Sequence, residues 1–273
     1  MKTKEIFKDS ITFPFSNLKR FLTLGFILLF SPIIIPTILA QGYAIRIIRN
    51  TSQGRREMPE FKNWVDMFID GLKYLIVNIV YTIPSGVLVY IAIMISTFTT
   101  ISDIMLSSSQ LNQTATMYSG SYLSMDYTSL IHGTLPMILI TLGVILFGLS
   151  YLIQMIAIPR MVYKNRVGAA FEFKEIYKEI RLLGWNKYLI CGVFLAVISV
   201  LSMLSSMFLP HLLIKYGAVG YLVTIVIIPL IFDSFFYNFT GRFMGLIYPG
   251  EVENEDSEAD MEIKNRKPRF SQE

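Results

Sequence analysis

Few side chains in this sequence combine a type and a spacing that do chemistry. Cys191 is the sole cysteine, and the histidines are His132 and His211, neither beside a Cys or acidic cluster. A zinc site needs three or four such ligands, so none can be assembled here. Nucleophilic catalysis needs a Ser or Cys with a base and an orienting group, and no Ser, His and acid fall at one depth of an apolar stretch. No glycine-rich phosphate loop occurs. The sequence therefore assigns no catalytic, cofactor-binding or metal-binding residue, and it implies no cofactor. What remains is a set of polar groups set into apolar stretches: Asn78, His132, Gln154, Asp233 and Arg242. Such groups are functional candidates when the stretch spans a membrane. Asn78 and Gln154 read as amides that cross-link helices, a contribution of about 1 kcal/mol. His132 is expected in the wet outer interface. Asp233 and Arg242, nine positions apart, can pair only if the chain bends between them. Ser199, Ser202 and Ser206 share one helical face and suit close helix approach, which is assembly chemistry. Cys191 is expected to serve packing.

The stretches around these groups are too long and too apolar for a soluble core. Hydrophobic residues make up 53% of the chain and charged residues 16%, with a mean hydropathy of +0.52. That is membrane composition. Between Tyr74 and Arg160 there is no Lys, Arg or Glu, and the only acids are Asp103 and Asp126. A hydrocarbon core of about 30 Å needs roughly 20 apolar residues of helix. The sequence thus predicts an all-α polytopic transmembrane bundle with about five hydrophobic segments, near 21–45, 74–102, 130–158, 188–213 and 216–237. They make one membrane domain over 1–248, followed by a charged tail over 249–273. Seven acids from Glu251 to Glu262 and then four basic residues mark that tail, and such blocks are commonly disordered. Pro32 and Pro36 interrupt the first segment and predict a kink or a re-entrant turn.

Two connectors join the segments. Over Pro59–Lys73, residues Phe61, Trp64, Val65, Phe68, Ile69 and Leu72 form one helical stripe, with Lys62, Asp66 and Asp70 opposite. Phe173, Ile176, Tyr177, Ile180 and Leu183 repeat the pattern. Both are expected to be amphipathic helices lying at the membrane interface, the first with Pro59 in its opening turn. The connectors also align. Glu60-Phe61-Lys62 leads to Lys73-Tyr74-Leu75-Ile76, as Glu172-Phe173-Lys174 leads to Lys187-Tyr188-Leu189-Ile190. Ile35-Pro36, Ile158-Pro159 and Ile228-Pro229 each precede basic residues. A direct repeat of span, surface helix and span follows, with a final half unit.

Connector 46–73 carries six Lys or Arg and connector 160–187 seven, while the loop at 103–130 carries none. The positive-inside rule makes both connectors and the C-terminus cytoplasmic and that loop extracytoplasmic, in a multi-pass protein of the cell membrane. Of the sequons at Asn50, Asn112 and Asn238, only Asn112 falls on the outer face. The net charge of +4 flanks apolar spans, which favours anionic lipid headgroups at the connectors over nucleic acid. The N-terminus conflicts with this scheme. Lys2, Lys4, Lys8, Lys19 and Arg20 ask for the inside, yet a full crossing by the first segment places them outside. Residues 21–45 either cross against the charge rule or dip in and return at Ser31-Pro32. The parallel Ile-Pro repeats favour a crossing.

The run Gly42-Tyr43-Ala44-Ile45-Arg46-Ile47-Ile48-Arg49-Asn50-Thr51, then Gly54, Met58-Pro59-Glu60-Phe61, Trp64, Phe68 and Asp70-Gly71-Leu72-Lys73, resembles an archaeal membrane family called domain of unknown function 4013. The motif covers about thirty residues, and the hydrophobic layout extends the resemblance across roughly 10–250. The chain departs from it at Arg55-Arg56, where more acidic residues are expected. The resemblance implies an archaeal cell membrane and carries no activity and no catalytic residue.

The reading is a non-enzymatic membrane protein that organises the membrane or serves as an accessory subunit of a larger assembly, with the lipid bilayer, a membrane protein or its own copies as partners. The alternative is a transporter or channel for a small or lipid-like solute, motivated by the repeat and the proline-broken spans. A lipid-directed enzyme would need an acid and a base gathered at one depth.

Overall fold

The computed structural model describes residues 3–111 and 133–248. His132, Asp126, the Asn112 sequon and the tail 249–273 lie outside the described residues. The α-helices of the described residues are α1 (Thr3–Thr12), α2 (Leu18–Leu29), α3 (Ile34–Ser52), α4 (Trp64–Leu111), α5 (Thr134–Lys164), α6 (Phe173–Leu183), α7 (Trp185–Leu213), α8 (Gly217–Ile227) and α9 (Ser234–Ile247), and no strand occurs among those residues. A π-helical turn, Ile228–Asp233, joins α8 to α9. Pro229 explains it: the ring supplies no N–H and crowds the preceding turn, so the helix widens there.

Four helical stretches are long and apolar enough to cross a membrane: Trp64–Ser102, Thr134–Lys164, Trp185–Leu213 and Gly217–Ile247. The first hydrophobic segment is not among them. It is cut into α2 and α3 by a turn at residues 30–33, where Ser31-Pro32 sits. At about 1.5 Å per residue, the 12 residues of α2 reach roughly 18 Å, too little to cross. The ends show that the chain returns. Arg20, at the start of α2, bonds the Met58 carbonyl and Glu60. Arg46, near the end of α3, bonds the carbonyls of Glu60, Lys62 and Asn63. Both ends therefore meet the same short segment. Residues 21–45 are therefore a hairpin of two helices and not the single continuous helix of a simple crossing. The hairpin has an apolar, open tip, with Ile33, Ile34 and Ile35 exposed. Its polar backbone is satisfied by turn bonds and by the Thr37 hydroxyl, which donates to the Ser31 carbonyl at 2.7 Å, as backbone in hydrocarbon requires.

The first amphipathic stretch also differs from expectation. Its helix starts at Trp64, after Asn63 at φ 50°, so Pro59 lies outside it. It then runs into the span without a break, because nothing between Leu72 and Tyr74 interrupts a helix. The second, α6, is a separate surface helix, stopped by Gly184 at φ 88°, a backbone conformation glycine adopts at no steric cost. In α6 the apolar stripe is divided, with Ile176 and Ile180 buried and Phe173 and Tyr177 exposed. The first stripe instead faces outward, with Trp64, Val65 and Ile69 exposed and Phe61, Phe68 and Leu72 half-buried. The buried side of α4 there is the one that carries Met67, Asp70 and Gly71.

Two compact units divide the chain: Met1–Val77 with Ile153–Glu273, and Asn78–Leu152. In the first, α3 packs along α9. Gly241 lies on Ala44 and Ile47, and Gly245 on Ile48 and Thr51, a small-xxx-small contact that brings two backbones together. Tyr43, Ile47, Leu24, Leu28, Met58 and Met67 fill the core beneath. In the second unit, Gly143 of α5 sits against Ser85, Leu88 and Val89 of α4.

Candidate functional site

Three clusters of charged residues in the first unit form clamps between its helices. The first joins α3 to α4. A Cβ on Gly42 would overlap the Met67 carbonyl, and one on Gly71 the Ile38 carbonyl, so the helices touch backbone to backbone. At that contact Asp70 is 5% exposed and meets Arg49 through two bonds of 2.9 and 3.2 Å, with the Lys73 ammonium at 3.5 Å. Tyr43 donates to the Pro59 carbonyl at 3.1 Å and stacks on Phe61 at 4.2 Å. Tyr43, Arg49, Asp70 and Lys73 of the Gly42–Lys73 motif are thus engaged at this joint.

The second clamp joins α5 to α6. Arg160, 4% exposed, bonds Glu179 and reaches Glu172 at 2.7 Å. Arg166 bonds the other Glu172 oxygen. The hydrogen bond from Arg160 holds the Glu172 carboxyl below its ordinary range. The Tyr248 hydroxyl donates to Glu179 at 2.9 Å, tying in the end of α9. The third clamp centres on Arg242, buried on α9. Its Nε and Nη2 reach Asp9 at 2.8 and 2.7 Å. Its Nη1 donates to Thr51 Oγ1 at 3.2 Å and to the Arg55 carbonyl at 2.7 Å, and its carbon lies 4.9 Å from the Phe13 ring centroid. Through these bonds α1, both connectors and the end of α9 share one end of the unit.

Two polar clefts open beside the clamps. One, of about 510 Å³, is lined by Lys8, Asp9, Arg56 and Arg242 among others. The other, of about 350 Å³, is lined by Ser16, Asn17, Arg20, Arg56, Glu57 and Met58. An apolar groove of about 290 Å³ runs between α2, α7 and α9.

Of the residues singled out by sequence, Arg242 is the one drawn into a cluster. Its partner is Asp9 on α1 and not Asp233, which ends the π turn and is half-buried. Gln154 is buried and Asn78 half-buried on different helices. Cys191 is buried, as expected for packing. The Ser199 and Ser206 hydroxyls turn back to carbonyls of their own helix. Asn238 is fully buried on α9 and donates to the Ser234 carbonyl, so that sequon is closed to glycosylation. Asp70, expected on the solvent face, is instead buried. No sequence pattern marks Asp9 or Glu179, and Arg160 stands in the sequence as the end of a stretch without Lys, Arg or Glu. The Gly241–Gly245 spacing was the readable signal for the α3–α9 contact. Among the described residues, no group of three or more His, Cys, Asp or Glu could hold a metal ion.

A family model described as protein of unknown function (DUF4013) matches residues 25–211. The chain belongs to that family. Comparison with curated proteins and with solved structures returns no match. In this DUF4013 protein the matched range takes in the end of α2, all of α3, the Gly42–Lys73 joint and Arg160 with Glu172 and Glu179, but neither Arg20 nor Tyr248. Arg242 and its partner Asp9 fall outside it.

Proposed function

We propose that this protein is non-enzymatic and acts within the cell membrane as an organising element or an accessory subunit of a larger assembly. The observation that carries this reading is how much apolar surface each span leaves open. In the most apolar stretch of α5 only 11% of residues are buried, and 17–22% in the other three spans. Faces that apolar and that open have lipid or another membrane helix as their natural neighbour. The clamps support the same reading. Charges that could serve acid–base chemistry are engaged with one another, which stiffens the polar end. By the charge rule that end faces the cytoplasm, with the loop after α4 outside. A photo-reactive residue at Val144 or Met137, both exposed on α5, is expected to give a discrete protein adduct in native membranes. Lipid adducts alone at both positions, with only monomer on co-purification, would sink the accessory-subunit reading.

The transporter reading has one observation in its favour. The broken helix pair α2–α3 and the π turn meet, with Gly25 lying against the Leu230 backbone, and interrupted helices are where membrane carriers place their sites. In a Cys191→Ser background, Asn78→Cys and Gln154→Cys should then react with a water-soluble thiol reagent in membranes. Protection of both positions would count against a water-lined path.

A further inference from the structure

The second polar cleft and the apolar groove are neighbours along the chain. Ser16, Asn17 and Arg20 line the cleft, while Phe15 and Phe21 line the groove. Phe15 is the hinge: its ring lies 5.9 Å from those of Phe21 and Phe235, and the next residue, Ser16, faces the cleft. The groove continues past Phe235 and Phe232 to Ile231 on the α9 side and to Ile198 and Leu201 on α7. On α9, Arg242 is held at the polar end. Ile231 is eleven residues earlier in the chain, so the groove reaches about 16 Å from that end towards the apolar interior at 1.5 Å per residue. A polar cleft with two arginines at one end and an apolar trough descending from it matches one kind of molecule in a bilayer.

We propose that this cleft and groove bind an anionic phospholipid, with its phosphate-bearing headgroup at Ser16, Arg20 and Arg56 and an acyl chain along Phe21, Phe235 and Leu201. The charges fit an anion. Arg20 already pairs with Glu60 at 3.1 Å and with the Met58 carbonyl, and Glu57 shares the cleft. Arg56, exposed on the connector, is therefore the cation left to select headgroup charge. The Ser16 hydroxyl adds a neutral donor beside it. Charge-assisted bonds to phosphate give the headgroup its hold, and the groove contributes by burying methylenes. A zwitterionic lipid would offer the same chain but would bring its own cation to the arginines.

The inference deepens the membrane-organising reading and rests on it, yet the two can fail separately. The full chain in detergent, titrated with phosphatidylglycerol and phosphatidylcholine of identical acyl chains, is assayed by native mass spectrometry. Phosphatidylglycerol is expected to be retained roughly tenfold more tightly, because phosphatidylcholine presents the same phosphate with a cation of its own beside it. Arg56→Gln should remove most of that preference, weakening retention of phosphatidylglycerol far more than that of phosphatidylcholine. Leu201→Trp, at an exposed groove position, should weaken both lipids alike. Equal retention of the two lipids by the native chain, or an unchanged preference in Arg56→Gln, would overturn the proposal. Displacement by equimolar inorganic phosphate would also overturn it, by assigning the cleft to a free anion. A chain that gives its protein adduct on α5 yet shows no lipid preference would keep the organising reading and lose this one.

Discussion

A carboxylate as buried as Asp70 must meet a cation or give up its charge, and Arg49 is where it meets one. Breaking such a pair leaves a desolvated charge, so Arg49→Ala should cost about 1–3 kcal/mol, short of the full penalty because Arg49 is partly exposed and Lys73 stays near. Thermal unfolding in detergent reads this, and Arg49→Ala/Asp70→Ala should recover part of the loss. Additive losses in that cycle would show that the two residues do not couple. Glu172 makes a prediction in pH. Its folded pKa lies below its ordinary value near 4.5 because of Arg160, so its contribution is fully present above about pH 4.5 and fades as pH falls through the lower folded value. The melting difference between the native chain and Glu172→Gln should hold from pH 7 to 5 and close below 4.5. A difference that grows on acidification would refute the pairing. These residues were only partly legible. Asp70 stood on the polar side of a helical stripe, and solvent is the default neighbour of such a face. What buries it is a tertiary event, the approach of α3 at Gly42 and Gly71, whose partner no spacing within 59–73 announces.

At the scale of elements, helix type and extent follow from hydropathy and length, which is why the four spans appear where the charge deserts lie. The first segment shows where that logic stops. Residues 21–45 have the length and apolarity of a crossing, and only Pro32 and Pro36 hint that they are two helices. The choice between crossing and return is made by Arg20 and Arg46 meeting one connector, a contact between residues far apart in sequence. Glycine positions show the same division. Gly42 and Gly86 both sit inside helices, yet only Gly42 touches another backbone. Gly42→Ala should force α3 and α4 apart and cost about 1–3 kcal/mol or more. Gly86→Ala, with open space around it, should be neutral or add about 0.5–1 kcal/mol through helix propensity. Equal melting temperatures for the two variants would mean that the α3–α4 contact is not as close as described.

At the scale of the whole molecule, the hairpin of the first segment brings the N-terminal stretch to the same end of its unit as the connectors. Asp9 on α1, the Arg55 carbonyl in one connector and Glu179 in the other are all bonded to the last turns of α9 or to Tyr248 after it. These parts must therefore share a side, whichever side it is. Single cysteines at Lys4, Gln53 and Lys178, all exposed, and at Ser108, in a Cys191→Ser background, test this with an impermeant reagent on intact cells. Ser108 alone is expected to react. If Lys4, Gln53 and Lys178 react and Ser108 does not, the charge-based orientation is reversed and the fold stands. If Lys4 reacts while Gln53 and Lys178 are protected, the first segment crosses the membrane, and the Arg242–Asp9 clamp cannot exist in the cell.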